Sequence, residues 1–343
     1  MKRLAVALAA LALGAAVLAA PAVVSAWGNT GHRLIGVAAV RDLPAEMPAF
    51  LRTPAAAAEV GELSREPDRT KGGGQPHDRE RDTAHFVDML DDGRIMVAQG
   101  PSIDALPRLK SEYDAALVAA GSDVDDAGYL PYAIMDGYQQ LVRDFATWRV
   151  LYAAEGRETD PGKRAWYRED RIRREALILR DMGYLGRYVG DGAQPHHTTI
   201  HYNGWNSDVP NPEGFTTSRR THGLFEGAFT SRVARLDAVE AAMAPTALDG
   251  FDLRARVPAY LKTTLAQVTP FYRLEKAGGF AESDPRGAAF ATERLAAGAA
   301  ELRDLIVLAW RDSADDAIGW PAVKVNEVEA GTADAWLAMY GED

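Results

Sequence analysis

Cysteine is absent from all 343 residues, which excludes disulfides and thiolate-held metals alike. Basic residues are in deficit, with 38 Lys and Arg against 49 Asp and Glu and a net charge of −11. A surface of that sign repels polyanions, so action on nucleic acid or lipid phosphate requires a local positive centre. β-Branched runs are scarce, which argues against an extended sheet. Beyond residue 26 no apolar run is long enough to span a bilayer. There is no internal repeat, low-complexity linker or shift in composition to mark a domain boundary. One all-α domain over 27–343 is the economical expectation.

The first 26 residues have a different character. Lys2 and Arg3 precede an apolar stretch from Leu4 to Leu18, and Val24-Ser25-Ala26 has the small residues of a cleavage signal. A retained membrane anchor is the alternative, but Pro21 and the cleavage signal favour a signal peptide at 1–26. Its removal predicts a secreted or periplasmic protein that begins at Trp27. A free α-amine has a pKa near ~8 and can bind a metal once deprotonated.

What is present in quantity is Ala and Leu at helical spacing. The clearest segments are Tyr132 to Ala153, Ala165 to Val189, Val257 to Tyr272 and Ala288 to Trp310. Pro131, Pro161 and Pro285 stand just before such segments, where a helix start tolerates proline. The stretches Thr70 to Thr83 and Tyr202 to Thr217 read as loops. Trp148, Trp166 and Trp310 read as core, and the segment from Asp237 to Asp343 as helical packing around a cleft.

The chemistry lies in four short pieces. Trp27-Gly-Asn-Thr-Gly-His32 is the first. Asp68, with His85 and Asp88 in Ala84-His85-Phe86-Val87-Asp88, is the second. Asp191-Gly-Ala-Gln194-Pro195-His196-His197 is the third, and His222-Gly-Leu-Phe-Glu226 the fourth. His222 and Glu226 are four apart, so on a helix both reach one ion. Imidazoles and carboxylates without thiolates suit zinc, with manganese or another divalent ion as the alternative. For His77, His196 and His201 a surface or core role is the better reading. Asp68 could sit in a charged turn and Lys71 could be a solvated charge.

In this order the pieces resemble the superfamily of zinc-dependent phospholipases C and single-strand-specific nucleases (bifunctional nuclease/3′-nucleotidases). The resemblance runs from Trp27 to about Phe229. Trp27 followed by Gly-x-x-Gly-His matches the nuclease start, and Asp-x-x-Gln-Pro-x-His matches the central signature. Glu226 is closer to the phospholipase branch. The resemblance implies an all-α fold with three Zn2+ ions in a cleft. Trp27, through its amine and carbonyl, would hold one with His32 and Asp191. His197, His222 and Glu226 would hold a second. Asp68, His85 and the other oxygen of Asp191 would hold the third. Lys71 and Asp88 match positions near the scissile phosphate. Asn203 or Asn206 would contact that phosphate, and Asp68 would orient or deprotonate the attacking water.

One position departs from the pattern. Where the family has His in His-x-x-Gly-Asp, this chain has Arg187. A guanidinium offers no lone pair. Arg187 is expected either to pair with Asp191 or Asp68, or to swing out and clamp a phosphate. The site beside it should bind metal weakly or stay empty.

The leading expectation is therefore a zinc phosphodiesterase acting on single-stranded DNA, RNA or 3′-nucleotides through metal-activated water. A phospholipase C on choline-type phospholipids is the alternative. A metal-binding homologue with impaired catalysis is the third, motivated by Arg187. No stable protein partner is indicated, and a monomer is expected.

Overall fold

A computed structural model describes residues 27–70, 79–281 and 283–341. Lys71 and His77, along with the expected signal peptide at 1–26, lie outside the described residues. The chain is all-α. Among the described residues the strands are limited to a two-residue antiparallel pair, Ala317–Ile318 with Val323–Lys324.

Seven helices build the body: α1 (Gly28–Arg41), α2 (Pro54–Leu63), α3 (Leu130–Arg157), α4 (Pro161–Ala193), α5 (Leu253–Leu265), α6 (Val268–Lys276) and α7 (Pro285–Asp312). Pro131, Pro161 and Pro285 occupy first-turn positions of α3, α4 and α7, where their missing N–H costs no intrahelical bond. The side chains of Asp160 and Asp284 cap α4 and α7 by accepting backbone N–H bonds from Lys163 and Arg286. The apolar stretch expected as one helix from Val257 to Tyr272 breaks at Ala266 and Gln267 into α5 and α6. The expected loop at Thr70 to Thr83 ends in a short helix, Arg79–Thr83.

The longest helix, α4, runs through the middle of the assembly. It packs against α3, α7, α2 and α1, and its last turns are buried on all sides. Full burial explains its composition at that end. Gly183, Gly186, Gly190 and Gly192 replace the larger side chains that a one-sided helix would carry outward. One main apolar cluster extends from Trp27 to Ala309. A smaller one seats Ile318, Val325, Val328 and Ala335 against Ala146 and Val150 of α3. Arg149 ties this tail down, bonding Ser313 and Glu329 while its guanidinium lies 3.4 Å from the Trp310 ring. Trp148 is buried as expected, but Trp166 is 56% exposed. It sits on the polar face of α4 and meets only the edge of Tyr340.

Helices α5, α6 and α7, which follow Asp237, pack around the end of α4 and the chain on either side of it. Tyr260 of α5 donates to the carbonyl of Val189 at 2.6 Å, and Tyr272 of α6 donates to that of His201. Leu295 of α7 packs beside Gly31. No helix among the described residues is long and apolar enough to cross a membrane.

Candidate metal centre

Three parts of the chain converge on the C-terminal end of α4. The first is the start of α1. Trp27 adopts a left-handed φ of 44° and Gly28 follows at 54°, a turn that folds the indole back under the helix. The ring is fully buried, donates to the carbonyl of Gly190 at 2.6 Å and packs against Phe225. Loss of a ring buried this well costs about 3–5 kcal/mol. One turn on, His32 lies flat against α4. A Cβ at Gly190 would stand 2.8 Å from its Nδ1, so glycine is required there.

The second part is the end of α4 and the turn after it. Asp191 occupies the last turn and Gln194 ends the helix. Gln194 Oε1 accepts the N–H of His196, and Pro195 begins a tight turn through His197. His197 Nδ1 donates to the carbonyl of His85 at 2.7 Å, which leaves Nε2 with its lone pair facing the cleft.

The third part carries His222 and Glu226. Thr221–Gly223 begins as an α-helix and widens into a π turn over Leu224–Phe229, a distortion often found at functional sites. The four-residue spacing still places both side chains on one face. Glu226 Oε2 lies 2.8 Å from His222 Nε2 and 3.4 Å from His197 Nε2, and the two imidazole nitrogens are 3.1 Å apart. Three donor atoms of zinc-binding type thus meet at one point, and this group could hold a metal ion.

Two of the imidazoles are shifted towards the neutral form that coordination requires. Burial holds the His32 and His197 imidazoles below their ordinary range, His197 down to about 4, with Arg187 adding to the effect in both. Burial would raise the Glu226 carboxyl, but His222 and His197 outweigh it and keep Glu226 ionised. Several buried polar atoms here lack any hydrogen-bond partner: both ring nitrogens of His32, Asp191 Oδ1 and Glu226 Oε1. Orphans at this density are costly unless something else satisfies them.

The expected ligands are therefore linked in space. His32 Nε2 lies 3.5 Å from Asp191 Oδ1, which lies 3.8 Å from His197 Nδ1. The Trp27 nitrogen differs from expectation, since it donates to Glu226 Oε2 at 3.0 Å. With Ala26 attached that nitrogen is an amide donor and prefers a carboxylate; only cleavage after Ala26 would give it a lone pair. The Trp27 carbonyl already accepts the N–H of Gly31.

Arg187 stands between Asp68 and Asp191. Its Nη2 bonds Asp68 Oδ1 at 2.8 Å, and its Nη1 pairs with Asp191 Oδ2. It is 1% exposed, so it is not extended to clamp a phosphate, and of the two expected arrangements the ion-paired one is found. His85 is close by, its Nδ1 against the carbonyl of Asp82 at 2.8 Å.

A cavity of about 400 Å3 opens over the triad. His85, His196, His197, His222, Asp88, Asn203, Asn206 and Glu226 all line it, so the expected Asp88 and both candidate asparagines share one space with the triad. Asn206 is partly committed, its N–H to His201 Nδ1 and its side-chain oxygen to Asp208. His201 stacks on Trp205 at 3.7 Å, a packing role. His196 is buried against Phe271 with both nitrogens unpartnered. The sequence reading missed Asp125 and Asp126, which line the same cavity from a short helix at Val124–Ala127. Their one sequence signal, a run of aspartates at 123, 125 and 126, is that of a helix N-terminus. Burial and Asp126 push the Asp88 carboxyl well above the usual carboxylate range.

No protein-family model matches this chain, and no curated protein matches it.

Proposed function

We propose that the chain is a divalent-metal-dependent hydrolase of phosphate esters, with zinc as the metal and the cavity above His197, His222 and Glu226 as its active site. The observation that carries this reading is the meeting of those three donors at 2.8–3.4 Å under an open cavity. When bound, the ion supplies Lewis-acid polarisation of a phosphate oxygen and activation of water. His197, His222 and Glu226 would hold one ion. His32 and Asp191 Oδ1 would hold a second.

The chain's own groups complete the site. The His85 carbonyl fixes the His197 tautomer, and Gln194 steadies Glu226 from 3.4 Å. Burial and Asp126 favour the protonated form of Asp88, in which it can donate a hydrogen bond to a phosphate oxygen. Asn203, on the same wall, can donate another. Asp68 is bound to Arg187, and its role is to hold that cation rather than to deprotonate water.

For substrate, the resemblance favours single-stranded nucleic acid or 3′-nucleotides. A phospholipid headgroup is the second reading, and Asp125 and Asp126 on the cavity wall favour it, because paired carboxylates oppose a long polyanion. The test is to incubate zinc-loaded protein with single-stranded DNA, RNA, 3′-AMP and phosphatidylcholine vesicles. Release of nucleotides or phosphate from the first three supports the leading reading, and hydrolysis of lipid alone replaces it. No hydrolysis of any of them rejects the proposal.

A further inference from the structure

The residues around Arg187 do not fit a metal ion. A third ion of the kind the resemblance implies needs Asp68, the second oxygen of Asp191 and a nearby imidazole to present lone pairs to one point. Here a guanidinium occupies that point. Arg187 binds Asp68 through Nη2 at 2.8 Å and Asp191 Oδ2 through Nη1, and it is 1% exposed. Two carboxylates from distant parts of the chain, Asp68 and Asp191, thus share one internal positive charge. A guanidinium offers only hydrogen-bond donors and no lone pair, so it cannot share the carboxylates with an ion.

We infer that Arg187 is a resident cation standing in for a metal ion, so that this chain carries a centre of at most two ions. The inference rests on the reading of the cleft as a divalent-metal site. It has a structural consequence for Asp191. With Oδ2 held by Arg187, only Oδ1 remains for coordination, and Oδ1 is the atom that faces His32 at 3.5 Å. Asp191 is then a one-ion ligand rather than a bridge, and Arg187 is a positioning residue that sets its orientation. The pairing also frees this part of the cleft from the metal supply, since a covalently attached charge is not removed by a chelator.

The test is a metal count by mass spectrometry on the purified protein after zinc loading and gel filtration, for the wild type and for Arg187→His. The expected result is one more zinc per chain in Arg187→His than in the wild type, and no more than two in the wild type. Equal counts, or three zincs in the wild type, overturn the inference. Zinc absent from the wild type but present at one per chain in Arg187→His would support the inference and reject the metal site at His197, His222 and Glu226. Because the substitution removes a buried ion pair, folding is followed in parallel by circular dichroism. Zinc should raise the melting temperature of Arg187→His by more than it raises that of the wild type. A variant that fails to fold even with zinc shows that imidazole plus ion does not replace guanidinium, and the inference fails.

Discussion

Asp191 has neighbours of opposite character on its two sides. On one, Oδ1 faces His32 and His197, and beyond them the His222–Glu226 pair, a group rich in lone pairs and short of hydrogen bonds. On the other, Oδ2 meets Arg187, already bound to Asp68, so that an attached cation sits between the two carboxylates. The contrast shows that a carboxylate in a motif of ligand-like spacing does not by itself define a metal site on both of its sides. What distinguishes the two sides is whether a cation is already attached to the chain. The first side gathers lone pairs around a space with no attached cation among the described residues, and the second has its cation in Arg187.

The largest effect that could break this contrast is on the metal side. Glu226→Gln should remove a charge from the triad and lower phosphoester hydrolysis by at least about 1,000-fold, equivalent to about 4 kcal/mol in the barrier. Retention of full rate in a steady-state assay would mean that the triad is not the working site. On the other side, Arg187→Met should strip the fully buried Asp191, and Asp68 beside it, of the cation they share and cost about 3–5 kcal/mol of stability. Urea unfolding measures this, and a loss below about 1 kcal/mol would show that the pair is not holding the region together.

Chelation separates the sides more gently. An ion present at a hundred times its dissociation constant stabilises the fold by about 2.7 kcal/mol. EDTA should therefore lower the melting temperature of the wild type, and much less that of His222→Ala, which has already lost a triad ligand. Equal shifts would place the metal elsewhere.

The smallest expected effect lies away from the cleft and serves as a control. Burial, together with the Asp144 carboxylate, pushes the Asp181 carboxyl up to about 7. An unfolded aspartate releases its proton near ~4, so the folded state holds a proton that the unfolded state has lost between those values. Stability from this group is greatest below about pH 4 and declines as pH rises towards 7. Asp181→Asn should remove that decline and raise stability at pH 8 by on the order of 1 kcal/mol, about 2 °C, with Arg180 and solvent tempering the gain. Scanning calorimetry at pH 5 and pH 8 reads it, and a variant less stable at pH 8 would contradict the assignment.

The helices were legible because their apolar residues recur at the helical period and their starts carry proline and aspartate caps. The break at Ala266 was not, since the periodicity of α5 and α6 continues across it. In the cleft, the spacing of His222 and Glu226 and the turn at Pro195 read directly as shared faces. The partner of Arg187 was hidden, because the choice among Asp68, Asp191 and a substrate phosphate depends on how a short helix at Glu66–Thr70 packs on α4. The acidic wall was missed for a related reason. Asp125 and Asp126 look like the ordinary first turn of a helix, and only the tertiary fold places them across from the triad. The nitrogen of Trp27 was assigned to His32 and Asp191, whereas the left-handed turn at residues 27 and 28 directs it to Glu226.

The central claim is that His197, His222 and Glu226 bind a divalent ion. The most direct measurement is isothermal titration of zinc into chelator-stripped protein, run side by side on the wild type and on His222→Ala. The account predicts saturable binding to the wild type and the loss of one site in the variant. Identical isotherms for the two proteins, or no heat of binding with either, would contradict it.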